Sequence, residues 1–284
     1  MTSTAEFTVS RLSDSQATLD ARMARDGYLL LKRAAPAQYC DALRADILAQ
    51  LDPYIGLVDD TEVPVLRGEP FFETDAVWDE IYPRIQRLES FHRFFHQPWM
   101  TDIMSRVAGP DVFVYPMKMA RIATPRKVGY ETPPHQDAHS HHAGPTMAGI
   151  WVALHDVDSS MGRVQVLPGS HSRGVRPVFE ARGVGGVQCE IYPDETEWHV
   201  SDFAKGDVLI FNSRTVHRAE PNTNAERVRL SVDTRFCDYG APVFSTNLEP
   251  HHGWRIDGLD WDAIYSGWRS CEDQYYWHSY PHCF

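Results

Sequence analysis

The stretch Gly162-Arg163-Val164-Gln165-Val166-Leu167-Pro168-Gly169-Ser170-His171 shows the pattern that decides the fold. Its first half is a short β-type run, and its second half is a turn, because proline, glycine and serine favour reversals of the chain. The same pattern recurs through this part of the chain, and further β-type runs are predicted at Val112–Tyr115, Met117–Ile122, Met147–Leu154, Val208–Phe211 and Arg229–Phe236. Many short strands separated by turns are typical of a β-sandwich or a jelly roll.

The part of the chain before these strands has helical periodicity instead. Helices are predicted over residues 14–25, from Pro36 onward, and over about 76–107 with interruptions at Pro83 and Pro98. Helices followed by strands indicate the α+β class.

We expect a single domain over residues 1–284, because the sequence contains no internal repeat and no low-complexity linker. It would comprise a helical part at about 14–107, a jelly-roll core at about 112–236 and a C-terminal arm at about 240–284. The arm is rich in tryptophan and tyrosine, so it either packs over the sheet or partly roofs a substrate pocket.

Composition narrows the possible partners. The chain has 27 Lys and Arg against 39 Asp and Glu, a net charge of −12, which disfavours binding to nucleic acid. No apolar run approaches the ~20 residues of a membrane span, and no secretory signal is visible, so we expect a cytoplasmic protein. The five cysteines form no CxxC motif, which favours reduced thiols over disulfides or a zinc knuckle.

A metal-binding pattern lies at His135-Gln136-Asp137. Residues i and i+2 of an extended segment share a face, so His135 and Asp137 can present an imidazole and a carboxylate to one point. His217 follows a predicted strand and is the best candidate for a third ligand. Two histidines and one carboxylate form the facial triad of non-haem Fe(II) oxygenases, which leaves positions open for a co-substrate and O₂.

An arginine follows the third candidate ligand at a short interval. Arg227 is expected to form a bidentate ion pair with the distal carboxylate of 2-oxoglutarate. Arg229 lies two residues further on, so it would share a strand face with Arg227 and could take its place.

These residues resemble the phytanoyl-CoA dioxygenase family of Fe(II)- and 2-oxoglutarate-dependent oxygenases. The stretches that match in order and spacing are Asp26–Leu31, His135–Asp137, Gly149–Leu154, Gly162–His171, Gly206–Phe211 with His217, and Pro221-Asn222 with Arg227. The resemblance implies a double-stranded β-helix, or jelly-roll, core with flanking N-terminal helices. It also implies Fe(II), 2-oxoglutarate and O₂ as cofactor and co-substrates.

The resemblance assigns further roles by position. His135, Asp137 and His217 become the iron ligands, and Arg227 becomes the 2-oxoglutarate clamp. In addition, Met117, Gln136 and Trp151 fall where family members line the co-substrate site. The carboxylate of Asp137 favours hydroxylation, since related halogenases lack it, although desaturation, epimerisation and cyclisation use the same oxidant.

Two alternatives remain open at this stage. One is a non-catalytic jelly-roll protein that binds a small molecule or metal. The other is a cupin-type metal oxygenase without 2-oxoglutarate, for which His139 and His141 give an HxH spacing. His251 and His252 have no carboxylate at ligand spacing and are expected on the surface or the arm. The expected substrate is an apolar small molecule of the lipid, terpenoid or polyketide type, and the sequence does not define an oligomeric state.

Overall fold

The computed structural model describes residues 2–58, 61–73, 75–125, 129–144 and 146–281. Its helices, in chain order, are α1 Gln16–Asp26, α2 Ala37–Leu51, α3 Ala76–Gln86, α4 Glu89–Arg93, α5 Pro98–Ala108, α6 Asp137–Ser140 and α7 Trp261–Tyr265. Helix α1 begins where the Ser15 side chain accepts a hydrogen bond from the Thr18 N–H, and it ends at Gly27 in the left-handed conformation, with φ of 78°.

The strands follow the same chain-order numbering. They are β1 Ser3–Ala5, β2 Val9–Ser10, β3 Tyr28–Leu31, β4 Ile55–Gly56, β5 Val65–Leu66, β6 Val112–Ala123, β7 Ala148–Ala153, β8 Val164–Val166, β9 Val178–Glu180, β10 Val187–Cys189, β11 Glu197–His199, β12 Val208–Asn212, β13 His217–Ala219 and β14 Arg229–Asp238.

Two sheets form the jelly roll. A six-stranded sheet has the order β2-β3-β12-β7-β14-β6, and a four-stranded sheet has the order β1-β11-β8-β13. Apart from the parallel pairs β2-β3 and β1-β11, neighbouring strands in both sheets are antiparallel. The two remaining pairs, β4-β5 and β9-β10, are separate hairpin-like additions.

The six-stranded sheet is covered on one face by the helices and on the other by the four-stranded sheet. Ile150, Ile210 and Leu230 belong to the apolar cluster shared with helices α2 to α5. The opposite face contributes Trp151 and Phe211 to a second cluster that includes residues of the smaller sheet. Successive residues of a strand point to opposite faces, which explains this division.

Strand β14 places apolar residues on one face and several charged residues on the other. Leu230 and Val232 face the helices, whereas Arg229, Asp233 and Arg235 have the opposite parity and point between the two sheets. All of these residues are buried. The interior of the jelly roll therefore contains charged groups on one wall, which is where the candidate site is found.

Two sequence-based boundaries are wrong. Pro83 does not interrupt its helix, because α3 continues through it and the chain breaks only after Gln86. Strand β6 likewise continues through Pro116, where two strands were expected. The pairing of β14 with β6 shifts register between Thr234 and Phe236, and this irregularity accommodates the proline that cannot donate a ladder hydrogen bond.

The C-terminal arm fulfils both roles expected of it. Its later part, including Trp261 and Trp277, packs with Phe113 and Tyr115 of β6, whereas residues 246–254 border the cavity described below. Among the described cysteines no disulfide is present: Cys40, Cys189 and Cys237 are buried thiols and Cys271 is exposed, while Cys283 lies outside the described residues. Within the described ranges, no helix has the length and apolar character to cross a membrane.

The helix-facing side of the large sheet should control stability. We expect Ile150→Ala to lower the free energy of unfolding by about 2–5 kcal/mol, because it removes fully buried methyl groups and leaves a cavity. Val175 is 49% exposed, so Val175→Ala should change the free energy of unfolding by less than about 0.5 kcal/mol. Urea denaturation of both variants checks this, and equal effects would contradict the layer assignment.

Candidate active site

The backbone brings the two histidines of the candidate triad face to face. The N–H of His135 donates to the carbonyl of His217, and the N–H of His217 donates to the carbonyl of His135, both at 3.0 Å. This antiparallel bridge continues the edge of the four-stranded sheet beyond β13. Residues paired in this way project their side chains to the same face, and the two imidazole centroids lie 4.1 Å apart.

The next residues bring Asp137 to the same point. Gln136 is extended, with φ of −121° and ψ of 131°, so Asp137 shares the face of His135 as expected. Helix α6 begins at Asp137, so the extended segment ends there and does not continue to His139. Ligand atoms of His135, Asp137 and His217 all lie within 4.8 Å of one another.

Each imidazole is held in the orientation that suits a metal ligand. Nδ1 of His135 lies 2.8 Å from the carbonyl of Pro133, and Nδ1 of His217 lies 3.1 Å from the carbonyl of Thr215. A carbonyl only accepts, so Nδ1 carries the proton and Nε2 keeps its lone pair. Burial lowers the pKa of both histidines, that of His217 to about 3, so both rings are neutral at pH 7.

A buried arginine controls the charge of the third member. Arg235 donates from Nη2 to Oδ1 of Asp137 at 2.8 Å, and its Nε lies 2.7 Å from Oδ2. Burial acts to raise the pKa of Asp137, but the charge of Arg235, with smaller contributions from nearby histidines, holds it well below its usual range. Arg235 also pairs with Asp233, and Asp233 pairs with Arg121, so charges of alternating sign run along the wall.

These residues fit a bound Fe(II) ion. Two neutral imidazoles and an ionised carboxylate are the ligand set of the facial triad. Oδ2 of Asp137 is buried and has the ion-pair contact with Nε of Arg235 but no hydrogen bond within the described part of the chain. A Cβ placed on Gly149 would lie 3.0 Å from that oxygen and closer still to Phe211, so the missing side chain keeps this space open.

A second pocket beside the triad contains the buried arginine of β14. Arg229 borders it together with Trp151, Phe211, Ala219 and His217. Arg229 donates from Nη1 to the carbonyl of Gly162, while its Nε has no hydrogen-bond partner among the described residues. Burial lowers the pKa of Arg229 to about 10, so it remains a cation at neutral pH.

Arg227 is not part of this pocket, contrary to the sequence-based expectation. Its guanidinium lies 3.2 Å from Asp158, its side chain is 49% exposed, and it borders a different surface pocket. Strand β14 begins only at Arg229, so the two-residue periodicity that placed both arginines on one face does not extend back to Arg227. The structure therefore brings Arg229, and not Arg227, to the triad.

The other two residues expected at the co-substrate site lie elsewhere. Gln136 is buried, and its side chain bonds to the backbone of Gly174, Arg176 and Arg214, so it fixes the loop that carries the triad. Met117 borders a larger cavity on the other side of the metal-binding residues.

This larger cavity has a volume of about 720 Å³ and reaches His135 and Asp137. Its wall combines apolar and polar groups, with the apolar surface the larger part, and the groups include residues of β6, of α6 and its following turn, of the C-terminal arm and of the segment around Val184. The bordering residues include Glu73, Met117, Met119, Arg121, His141, Val184, Val187, Arg235, Asn247, Glu249, His251 and Trp254.

Two groups of histidines differ from the sequence-based expectation. His141 is buried and bonds Asn247 through Nδ1, and neither it nor His139 joins any of the metal-binding groups found among the described residues. His251 and His252 lie in the arm, which was one of the two expected positions, but both are buried and not on the surface, and Nε2 of His252 lies 3.0 Å from Glu73. Their carboxylate comes from a distant part of the sequence, which spacing alone does not reveal.

Sequence reasoning also missed Arg121, Asp233 and Arg235. For Asp233 and Arg235, the available signal was the alternation of charged and apolar residues in β14. Polar residues at every second position usually mark a solvent face, but here they mark the interior of the jelly roll.

Known proteins resemble this chain in sequence over most of its length. The model of the phytanoyl-CoA dioxygenase (PhyH) family matches residues 23–230. The 1-deoxypentalenic acid 11-beta-hydroxylase of Streptomyces exfoliatus is 27% identical over 245 residues, which cover 79% of this chain and 82% of that protein. A phytanoyl-CoA dioxygenase domain-containing protein 1 of Danio rerio is 24% identical and covers 72% of this chain and 84% of its own.

Solved structures share the fold. The epimerase SnoN, in complex with Fe³⁺, alpha ketoglutarate and nogalamycin RO, has a TM-score of 0.57 at 22% identity and covers 80% of this chain and 85% of its own. The carbocyclase SnoK has a TM-score of 0.56 at 21% identity and covers 84% of this chain and 89% of its own. The expected jelly-roll fold is confirmed, and the chain belongs to the phytanoyl-CoA dioxygenase family of Fe(II)- and 2-oxoglutarate-dependent oxygenases.

Proposed function

We propose that this protein hydroxylates a small molecule, with 2-oxoglutarate and O₂ as co-substrates. The observation that carries the proposal is the position of the triad between two pockets, since His135 borders both the pocket of Arg229 and the cavity of about 720 Å³. A volume of this size is typical of sites for small organic ligands. The relative named as a hydroxylase, which matches most of the chain, supports hydroxylation.

In this proposal His135, Asp137 and His217 hold Fe(II) through two imidazole nitrogens and one carboxylate oxygen. When bound, Fe(II) and 2-oxoglutarate supply the oxidising power to insert an oxygen atom of O₂, with release of succinate and CO₂. Arg235 keeps Asp137 ionised and fixes its orientation.

We propose Arg229 as the clamp for the distal carboxylate of 2-oxoglutarate. It is a buried cation beside His217, and its Nε makes no hydrogen bond to the residues that the structure describes. Ser231, two residues along the same strand, has a buried hydroxyl without a hydrogen bond among the described residues. Unpaired buried donors are costly, and a bound carboxylate would satisfy them. Trp151 would form the apolar wall of this pocket.

The cavity favours a substrate of mixed polarity over a uniformly apolar one. Met117, Met119 and Trp254 offer apolar contacts, whereas Glu73 and Asn247 offer hydrogen bonds. We propose a substrate with an apolar body that carries several oxygen or nitrogen substituents.

Loss of one triad imidazole should remove the metal. We expect His217→Ala to lose one bound equivalent of Fe(II), together with turnover, while the fold remains, because only two ligands of the triad are left. His139→Ala, which changes a neighbouring but partly exposed histidine, should bind Fe(II) as the unchanged protein does. Calorimetric titration of the metal-free proteins checks this, and an unchanged number of bound equivalents in His217→Ala would refute the triad.

A test of co-substrate binding distinguishes the role of Arg229 from that of Arg227. We expect Arg229→Ala to raise the apparent KM for 2-oxoglutarate by about 10- to 100-fold, corresponding to roughly 1.5–3 kcal/mol, because a buried carboxylate loses its charged partner. Arg227→Ala should change KM less than about twofold, since its partner is an exposed carboxylate. Succinate release at varied 2-oxoglutarate measures both, and a larger effect at Arg227 would reverse the assignment.

Arg235 should act through Asp137. We expect Arg235→Gln to weaken Fe(II) binding by about 10- to 100-fold, as is typical when the group that orients a metal ligand is lost. Arg235→Lys keeps the charge but loses the two-point contact, so its affinity for Fe(II) should lie between those of Arg235→Gln and the unchanged protein. Titration with Fe(II) under anaerobic conditions measures the affinities, and equal affinity in Arg235→Gln would show that Asp137 needs no positioning partner.

A further inference from the structure

A second cluster of metal-ligand side chains lies in the wall of the large cavity, apart from the triad. It comprises Glu73, which precedes α3, and the consecutive residues His251 and His252 of the C-terminal arm. One ligand atom from each lies within 4.8 Å of the others. The two histidines are buried, and the side chain of Glu73 is only 10% exposed. Glu73 and His251 both border the cavity.

An unusual backbone conformation creates this cluster. Consecutive side chains in an extended segment point in opposite directions, yet the imidazole centroids of His251 and His252 lie 4.1 Å apart. His252 adopts φ of 66°, in the left-handed region that residues other than glycine rarely occupy. Such a conformation has an energetic cost and is often found at functional sites. Here it turns both rings toward Glu73.

The imidazole of His252 lies against Glu73. Its Nε2 is 3.0 Å from Oε1 of Glu73, whereas its Nδ1 makes no hydrogen bond within the described part of the chain, although the residue is 4% exposed. Nδ1 of His251 pairs with the hydroxyl of Tyr82, which leaves its Nε2 free to act as a ligand. A buried nitrogen without a partner is costly, and an ion bound among these three side chains would satisfy such groups.

The nearby cation, Arg121, leaves one carboxylate oxygen of Glu73 available. Nη1 of Arg121 lies 3.8 Å from Oε2 of Glu73, beyond hydrogen-bond distance, and its Nε bonds Asp233. The other oxygen, Oε1, faces His252. Glu73 therefore has a free lone pair on the side of the two imidazoles.

We propose that Glu73, His251 and His252 bind a divalent transition-metal ion, such as Zn²⁺, independently of the triad. Two histidines and one glutamate form an established zinc ligand set that leaves a position open. Because Glu73 and His251 border the cavity, that position would be reached from it. The ion would then offer a contact for a carboxylate or hydroxyl oxygen of a molecule bound in the cavity.

Removal of the triad isolates the second site. In His135→Ala/His217→Ala protein, stripped of metal by chelation and dialysis, we expect calorimetric titration with Zn²⁺ to show one bound equivalent. Adding Glu73→Gln, which is nearly isosteric, should weaken this binding by at least about tenfold. Adding His252→Asn should do the same, and asparagine tolerates the left-handed conformation, so the backbone is preserved. The test does not depend on oxygenase activity.

A matched control uses another acidic residue of the same cavity. Glu249 borders the cavity but is outside the cluster, so Glu249→Gln in the triad-free protein should leave Zn²⁺ binding unchanged. Circular dichroism and thermal melting verify that every variant is folded. The proposal is overturned if the triad-free protein binds no Zn²⁺. It is equally overturned if binding survives both Glu73→Gln and His252→Asn, or falls equally with Glu249→Gln.

Discussion

The reciprocal backbone hydrogen bonds between His135 and His217 are the constraint on which the site depends. They join two segments that are far apart in sequence, and they fix the separation and the common direction of the two imidazoles. The backbone position of Asp137 follows from that of His135 through the extended residue Gln136, and Arg235 orients its carboxylate. A ladder hydrogen bond thus defines the metal-binding geometry before any metal is present, and pre-organised ligands reduce the cost of binding.

Strand β14 links this geometry to the rest of the molecule. One of its faces completes the apolar layer against the helices, and the other contributes Arg229, Asp233 and Arg235 to the interior. Buried charges of this kind are costly unless they are paired: Arg235 pairs with Asp137 and Asp233 with Arg121, whereas Arg229 donates to the carbonyl of Gly162. The same strand therefore stabilises the fold and sets the charge of a proposed iron ligand.

The fold class could be predicted from the sequence, and the three residues of the candidate triad could be expected to lie together, because both depend on local rules. The two-residue period placed His135 and Asp137 together, and turn residues marked the short strands. The two-residue period could not show which of Arg227 and Arg229 faces the interior, because that depends on where strand β14 begins. Long-range contacts were not accessible at all, so the meeting of Glu73 with His251 and His252 was missed. Pro83 and Pro116 were given too much weight as breakers, because neighbouring structure accommodated both.

The origin of the cavity wall has a consequence for how the family diversifies. The family model ends at residue 230, yet Asn247, Glu249, His251 and Trp254 of the arm border the cavity. Part of the cavity wall thus follows the shared region, whereas the triad lies within it. A change in this tail would alter that part of the wall and leave the triad residues in place. Relatives that differ in this segment are therefore expected to differ in the molecules that fit the cavity.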